Sequence, residues 1–424
     1  MRRRGAWALA ALLVSASLGP GHADAKRIFV PKQHRRIQSA VDAAAAGDTI
    51  WVGPGTYYGP IVIKKRLVLF GDEGPEKTVL DGHDSVRVVH VEGTSGVSIL
   101  GFRIQNGKAP GGSGIYGLND TLLTIGSCDI RGNWETGVAL WKCFNAQIGD
   151  CEIVGNHTSG MTASESRFML LRTNVRDNHA ATGGGLNLVA SDLYVAKDCL
   201  FESNRADDGT GGGLFAEGSS VRYLNCTFRE NSAASGGGAT AVMDSSDLRI
   251  RQTTFERNHS SSGGAVLTDH SYADVQASIF DRNRATAAGA ALQILGRRTP
   301  GVNPVVIANT FYRNGVVADE GGGSIFVDGV SPEITHNIFV IDSTAKNKAV
   351  LEMKSSPRYE CNLIQALDGA PIRPTAATLV GNPAFCDAEH GDFHVRDLSP
   401  ALLAPCGKIG ALGKGCGFRV VPSQ

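Results

Sequence analysis

Asparagine recurs at positions 133, 156, 178, 204, 231, 258, 283 and 314, at intervals of 23, 22, 26, 27, 27, 25 and 31 residues. Each closes the same short phrase. Cys128-Asp129-Ile130-Arg131-Gly132-Asn133 returns as Cys199-Leu200-Phe201-Glu202-Ser203-Asn204, as Cys226-Thr227-Phe228-Arg229-Glu230-Asn231 and as Thr253-Thr254-Phe255-Glu256-Arg257-Asn258. A fixed period in this range marks a solenoid, with one supersecondary unit per repeat. The chain has 424 residues, a length that by itself suggests two or three globular domains. The repeat overrides that expectation, because solenoids grow by stacking and not by enlarging one core.

The phrase is an extended segment, so its first and third residues share a face. Cys128, Cys151, Cys199 and Cys226 then point inward as small buried side chains. Ile130, Phe201, Phe228 and Phe255 fill a common interior column. The Asn stands where the chain turns a corner, since it tolerates left-handed dihedrals that most residues avoid. Stacked asparagines can also hydrogen-bond from rung to rung. A glycine-rich turn and a second strand complete each unit, as in Gly211-Gly212-Gly213-Leu214-Phe215-Ala216. The 53 glycines cluster at these turns, which marks recurrent backbone geometry and not a flexible linker. No phosphate-loop motif accompanies them. A unit of this length without helical periodicity fits a three-sided parallel β-coil, with rungs roughly 4.8 Å apart.

Residues 1–25 read as a secretory signal. Arg2, Arg3 and Arg4 precede the largely apolar stretch Ala6–Leu18, too short to span a bilayer, and Ala23-Asp24-Ala25 offers a cleavage site. Removing this segment takes away three arginines and one aspartate, leaving 38 basic and 40 acidic residues. Such a balance gives no support for nucleic-acid binding. No later segment has the length and apolarity of a membrane span. Residues 26–85 form an N-terminal cap and first strands, with Ile37, Ala40, Val41 and Ala44 at the spacing of a short capping helix. The repeats occupy 86–370. Residues 371–424, rich in Pro, Gly and Cys, are expected to cover the open C-terminal end of the coil, whose backbone groups would otherwise be unpaired. Two of Cys386, Cys406 and Cys416 can pair there in an oxidising compartment.

Ile37-Gln38-Ser39-Ala40-Val41-Asp42-Ala43-Ala44, Gly47-Asp48-Thr49-Ile50-Trp51-Val52-Gly53-Pro54-Gly55-Thr56-Tyr57 and Gly101-Phe102-Arg103-Ile104-Gln105-Asn106-Gly107 resemble the opening of right-handed parallel β-helix proteins of the pectin-lyase-like superfamily. Gly381-Asn382-Pro383-Ala384-Phe385-Cys386 and Gly391-Asp392-Phe393-His394-Val395 resemble the C-terminal region of exported bacterial members. The resemblance implies an all-β, single-stranded right-handed parallel β-helix of about eleven coils. It says little about activity, because this scaffold carries lyases, hydrolases, esterases, epimerases and non-catalytic surface proteins. Subfamily signatures are missing. Gly82-His83-Asp84 only approximates a hydrolase Gly-His-Gly, and Leu295-Gly296-Arg297-Arg298-Thr299-Pro300 only echoes an esterase motif.

Two features stand out from the repeat. Asp207-Asp208 and Asp319-Glu320 precede glycine corners where other units carry small residues. A carboxylate pair can bind Ca²⁺ or serve as acid and base on a sugar, so Asp207 and Asp208 are the candidate catalytic residues. The residue after the Asn is often basic: His157, His179, Arg205, His259 and Arg284. At rung spacing these form a stripe suited to an acidic polysaccharide. Trp134 and Trp141 flank one early coil. Exposed tryptophans stack on sugars, and the apolar run Val138-Ala139-Leu140-Trp141 predicts that one of the two is buried. The sequence thus points to a secreted β-helix that recognises polysaccharide. The alternatives are a lyase or hydrolase acting on uronic-acid polymers and a non-catalytic structural or adhesive surface protein. No resident metal is assigned, and oligomeric state is not encoded legibly.

Overall fold

A computed structural model describes residues 25–296, 303–317, 322–342, 348–367 and 378–417. The proposed signal segment (bar its last residue, Ala25) and the Asp319-Glu320 pair lie outside these residues. The rest winds as a parallel β-helix whose faces are three long sheets of 14, 14 and 12 strands. One coil shows the order. Thr124–Gly126 belongs to the first sheet, Asp129–Arg131 to the second and Val138–Trp141 to the third. All pairing within the three sheets is parallel, each strand bonding to the one a single turn later. Stacking begins at Arg27–Val30, which pairs with Thr49–Val52.

The lumen follows the repeat. Register links Ile130 through Ile153 and Val175 to Phe201, Phe228 and Phe255. From Phe201 to Phe339 the rings stack with centroids 4.4 to 5.1 Å apart and planes within 13° of parallel. The four phrase cysteines are buried and unpaired.

The corner asparagines form a continuous amide ladder. Asn231 Oδ1 accepts both the backbone N–H and the Nδ2–H of Asn204, each at 3.0 Å. Asn231 Nδ2 in turn donates to Asn258 Oδ1 and to the Phe201 carbonyl. The same arrangement runs from Asn133 to Asn314. One expectation is corrected here. The left-handed residue at this corner is not the Asn but its predecessor: Gly132, Gly155, Asp177, Ser203, Glu230, Arg257, Arg282 and Arg313 all have φ between 50° and 62°. The preceding residue makes the turn and leaves the Asn free to aim its amide along the stack. At the glycine turn, Gly211 has φ 72°, and a Cβ on Gly212 would sit 2.3 Å from the Ser232 carbonyl of the next coil.

A second ladder lines the corner between the third and first sheets. The backbone N–H groups of Cys143, Ser166, Ser191 and Ser219 donate to the hydroxyls of Ser166, Ser191, Ser219 and Ser246. Asp120 begins this column. It is fully buried, and neither carboxylate oxygen has a donor in hydrogen-bonding geometry. Desolvation pushes its pKa up from 3.8 to about 7.

The ends are closed differently. The helix Ile37–Ala43 buries Ile37, Ala40 and Val41 in the lumen core, as expected of a cap. In the C-terminal region, Thr378–Val380 stacks on Asn362–Ala366 as the last strand of the second sheet. The described residues from Phe385 onward then pack on the outer flank of that sheet, where Phe393, Val395, Ala401 and Ile409 meet Tyr312, Ile338, Val340 and Leu363 in a core separate from the lumen. The reason is local: outward positions that carry Asp129, Glu152 and Arg229 in earlier coils become apolar in the last ones. Asp281, in an outward slot of the same sheet, is consequently buried, with its pKa raised to about 6 by desolvation. Glu389 holds the cap through Arg282, Arg313 and Tyr312. Disulfides join Cys386 to Cys416 within the cap, and Cys361 of the last coils to Cys406. The second pairing was not anticipated, because Cys361 lies inside the repeats.

Two outcomes follow. Asn231→Ala strands the Asn204 amide donors and should cost about 3 kcal/mol in denaturant unfolding, against under about 0.5 kcal/mol for the neighbouring Glu230→Ala. For Asp120, the folded-state pKa lies above the unfolded one, so its contribution is intact below the unfolded pKa and is lost as pH rises from about 4 to about 7. Asp120→Asn should raise the melting temperature at pH 8 and flatten the stability profile across that window.

Candidate functional site

From Asn178 to Asn283 the residue after the corner Asn points outward and the next one points in. His179, Arg205 and His259 are exposed, while Ala180, Ala206 and Ser260 are buried. These segments pair into a fourth, short parallel sheet with register His179–Arg205–Ser232–His259–Arg284. His157 stands one rung earlier, its ring 5.2 Å from that of His179 and edge-on to it. The structure therefore brings all five predicted basic residues into one axial column, with Ser232 interrupting it.

The column extends further than predicted. Trp134 fills the same slot one rung earlier still. It is 49% exposed and stacks on His157 at 5.8 Å with planes 15° apart. Lys108 Nζ lies 4.4 Å from the Trp134 ring centroid, and Trp134 Nε1 donates to Asp84. The signal for Trp134 was present in the sequence, since it directly follows Asn133.

Asp207 and Asp208 separate. Asp207 is ion-paired with Arg205, and its carboxylate lies 3.8 Å from His179 Nδ1. It lines a shallow depression of about 440 Å³ with Asp177, His179, Ser203 and Arg205, whereas Asp208 does not. A cation or a sugar proton at Asp207 would have to compete with the Arg205 guanidinium. Neither acid belongs to a converging set of three metal-ligating side chains among the described residues.

A second surface, not found from sequence, runs along the outside of the first sheet. Register aligns Phe144, Arg167, Asp192, Ser220, Asp247 and Tyr272 in one outward column. Trp141 stands beside its start, 46% exposed, and this corrects the expectation that one tryptophan is buried. Alternation explains it: Val138 and Leu140 point inward, so Trp141 points out. Tyr194, also exposed, receives the Arg167 and Arg222 guanidiniums at 5.2 and 5.6 Å from its ring centroid.

The column leads to a polar cavity of about 820 Å³ containing Asp247, Arg249, His270, Tyr272 and Asp274, walled by Leu295, Gly296, Asn303, Pro304 and Val330. Strand Val305–Ile307 pairs with only Asp274–Gln276 of strand Tyr272–Gln276 on the preceding rung, so among the described residues no strand of the next rung pairs with Tyr272. The 31-residue interval between Asn283 and Asn314 was the sequence signal. Arg249 donates to both oxygens of Asp247, at 3.0 to 3.2 Å, and this pairing raises its pKa. Burial, with Asp274 and Asp247 nearby, raises the Tyr272 phenol. His270 Nδ1 lies 2.7 Å from Asp269 Oδ1. The cavity thus combines a neutral hydroxyl donor, a charged guanidinium, an imidazole and two carboxylates.

A family model described as the right-handed β-helix region matches residues 87–255. Among solved structures, a mutant of AlyGC, a PL6 family alginate lyase, aligns over 94% of this chain and 60% of its own, with a TM-score of 0.52 and 11% identity. The PL6 family polysaccharide lyase Pedsa3628 from Pseudopedobacter saltans aligns over 94% and 98%, with a TM-score of 0.48 and 14% identity. The A-module of the mannuronan C-5 epimerase AlgE6 of Azotobacter vinelandii aligns over 81% and 93%, with a TM-score of 0.46 and 15% identity. No curated protein sequence matches significantly. The chain is a right-handed parallel β-helix, and its likeness to the AlyGC alginate-lyase structure is one of fold.

The charge state of the column is testable with a generic polyanion. Arg205→Ala should elute from heparin at lower salt than the parent protein. Asp207→Asn, which frees the Arg205 charge, should elute at higher salt.

Proposed function

We propose that this chain is an exported protein that binds an acidic polysaccharide lying parallel to the helix axis, with Trp134, His157, His179, Arg205, His259 and Arg284 as the contact surface. The observation that carries the reading is the axial column itself: an exposed indole followed by five basic side chains on one face, with Ser232 on the one intervening rung. Rungs repeat at about 4.8 Å, close to the advance of one sugar in an extended pyranose chain, so successive side chains meet successive sugars. The indole supplies a stacking face, and Arg205 and Arg284 supply permanent positive charge. Export rests on the segment at residues 1–25. No helix among the described residues is long and apolar enough to cross a membrane.

A catalytic reading is favoured by one specific observation, the cavity that ends the first-sheet column. Arg249 is held by Asp247, so a uronate carboxylate would share its guanidinium with that acid. Tyr272 and His270 are groups of the kind that move a proton at an adjacent sugar carbon or glycosidic oxygen. In this reading the chain is a lyase or hydrolase of uronic-acid polymers, and the chemistry sits with Tyr272 and not with the neutralised Asp207.

Immobilised polymannuronate, polygalacturonate and hyaluronan, titrated with protein at low and high salt, test the binding reading. At least one should bind, with affinity falling on salt addition, and Trp134→Ala combined with His157→Ala should weaken it by about tenfold, or 1.4 kcal/mol. Binding that is indifferent to both substitutions would place the contact elsewhere. Unsaturated products or new reducing ends, abolished by Tyr272→Phe with Arg249→Ala, would establish the catalytic reading.

A further inference from the structure

The second-sheet entry corner carries a column of left-handed residues. Its last members are Ala308, His336 and Cys361, with φ of 56°, 57° and 54°. His336 and Cys361 are consecutive rungs of that column, joined by the bond from His336 N–H to the Glu360 carbonyl at 3.0 Å. Two side chains one rung apart with matching dihedrals project in the same direction. The scaffold therefore holds an imidazole and a sulfur side by side whatever the redox state of the sulfur. The C-terminal cap brings Cys406 to the same place. His336 Nε2 lies 3.2 Å from the Cys406 carbonyl, and Gly410 N–H donates to the His336 carbonyl at 2.7 Å. The donor atoms of His336, Cys361 and Cys406 all lie within 4.8 Å of one another. Cys361 is buried, His336 half-buried and Cys406 exposed, so reagents reach the cluster from one side.

We propose that His336, Cys361 and Cys406 form a redox-gated site for a borderline-soft divalent cation such as Zn²⁺. In the oxidised chain the two sulfurs are joined to each other. An external dithiol delivers two electrons and two protons, leaves as its own disulfide, and converts the Cys361–Cys406 bond to two thiols. Metal binding then releases both thiol protons and gives two thiolate ligands and one imidazole. A fourth position stays open to water on the exposed side, a donor set and count suited to zinc. Two of the three ligands sit on stacked rungs, so only the Cys406 loop adjusts. The metal replaces the covalent tie between the last coils and the cap with a coordinate one.

The experiment uses the full mature chain carrying Cys386→Ser and Cys416→Ser, so that the second disulfide contributes no thiol. The protein is reduced with a phosphine, and Zn²⁺ is titrated against a chromophoric chelator. One Zn²⁺ should bind per reduced chain and none per oxidised chain. Co²⁺ in its place should show the near-ultraviolet charge-transfer absorption of thiolate ligation, a readout that needs no further substitution. His336→Ala should weaken Zn²⁺ binding at least tenfold, and Cys406→Ser should abolish it. Absence of the thiolate–Co²⁺ band in the reduced chain overturns the proposal. So does a Zn²⁺ affinity unchanged by His336→Ala or Cys406→Ser.

Discussion

The amide of one corner asparagine, accepting twice from the rung before it and donating to the rung after, is the interaction on which the molecule depends. In a parallel coil each turn must register with its neighbours on three faces at once, and a slip of one residue would turn every lumen side chain outward. The Asn column is fully buried for nearly its whole length, so each amide must find its partners within the stack. A rung displaced by one residue would leave two donors and an acceptor unsatisfied at that corner, in addition to exposing a phenylalanine. The ladder therefore fixes register, and the lumen rings then stack at the rung spacing without further constraint.

Register of this kind is also what builds surfaces. Residues more than twenty positions apart in sequence become neighbours, and each outward slot in the repeat becomes an axial row. Three such rows have distinct characters. The slot after the Asn is basic and aromatic. The outer slots of the second sheet are charged in early coils, as in Arg103–Asp129–Arg131, and apolar in late ones, where the cap docks. The first-sheet row is aromatic and then polar. Function and closure are thus written in one code, the identity of a single slot read along the axis.

This explains what could be read from the sequence. The coil, the inward cysteines, the phenylalanine column and the basic row all follow from period alone, because they require only that equal positions in the repeat be stacked. What could not be read required departures from period. The cavity around Tyr272 lies where strand Val305–Ile307 falls short of Tyr272, and the 31-residue interval signals extra chain without saying which slot it spares. The burial of Asp281 depends on a tail more than a hundred residues downstream. The left-handed residue was assigned to Asn133 and its equivalents when it belongs to Gly132 and its equivalents, an error of one position that composition could not resolve because Asn favours both roles. The pairing of Cys361 with Cys406 was hidden because Cys361 occupies a repeat slot that looks structural.

Asp207 shows why an unusual residue in a repeat is not by itself a site. Two adjacent acids invite an acid–base reading, but both lie in the bend after strand Arg205–Ala206, and only Asp207 lines the depression with His179 and Arg205. At that corner the neighbouring rung supplies His179, and the same strand supplies Arg205, which takes up the Asp207 charge. The first-sheet cavity is arranged otherwise. Asp247 and Tyr272 are register partners on consecutive rungs, as are Arg249 and Asp274, so four functional groups face one space from two adjacent strands. In a solenoid, chemistry that needs converging side chains belongs where an inserted segment walls off a row, and chemistry that needs only repetition belongs on an open row. Among the described residues, the row after the corner Asn is open and the row ending at Tyr272 is walled.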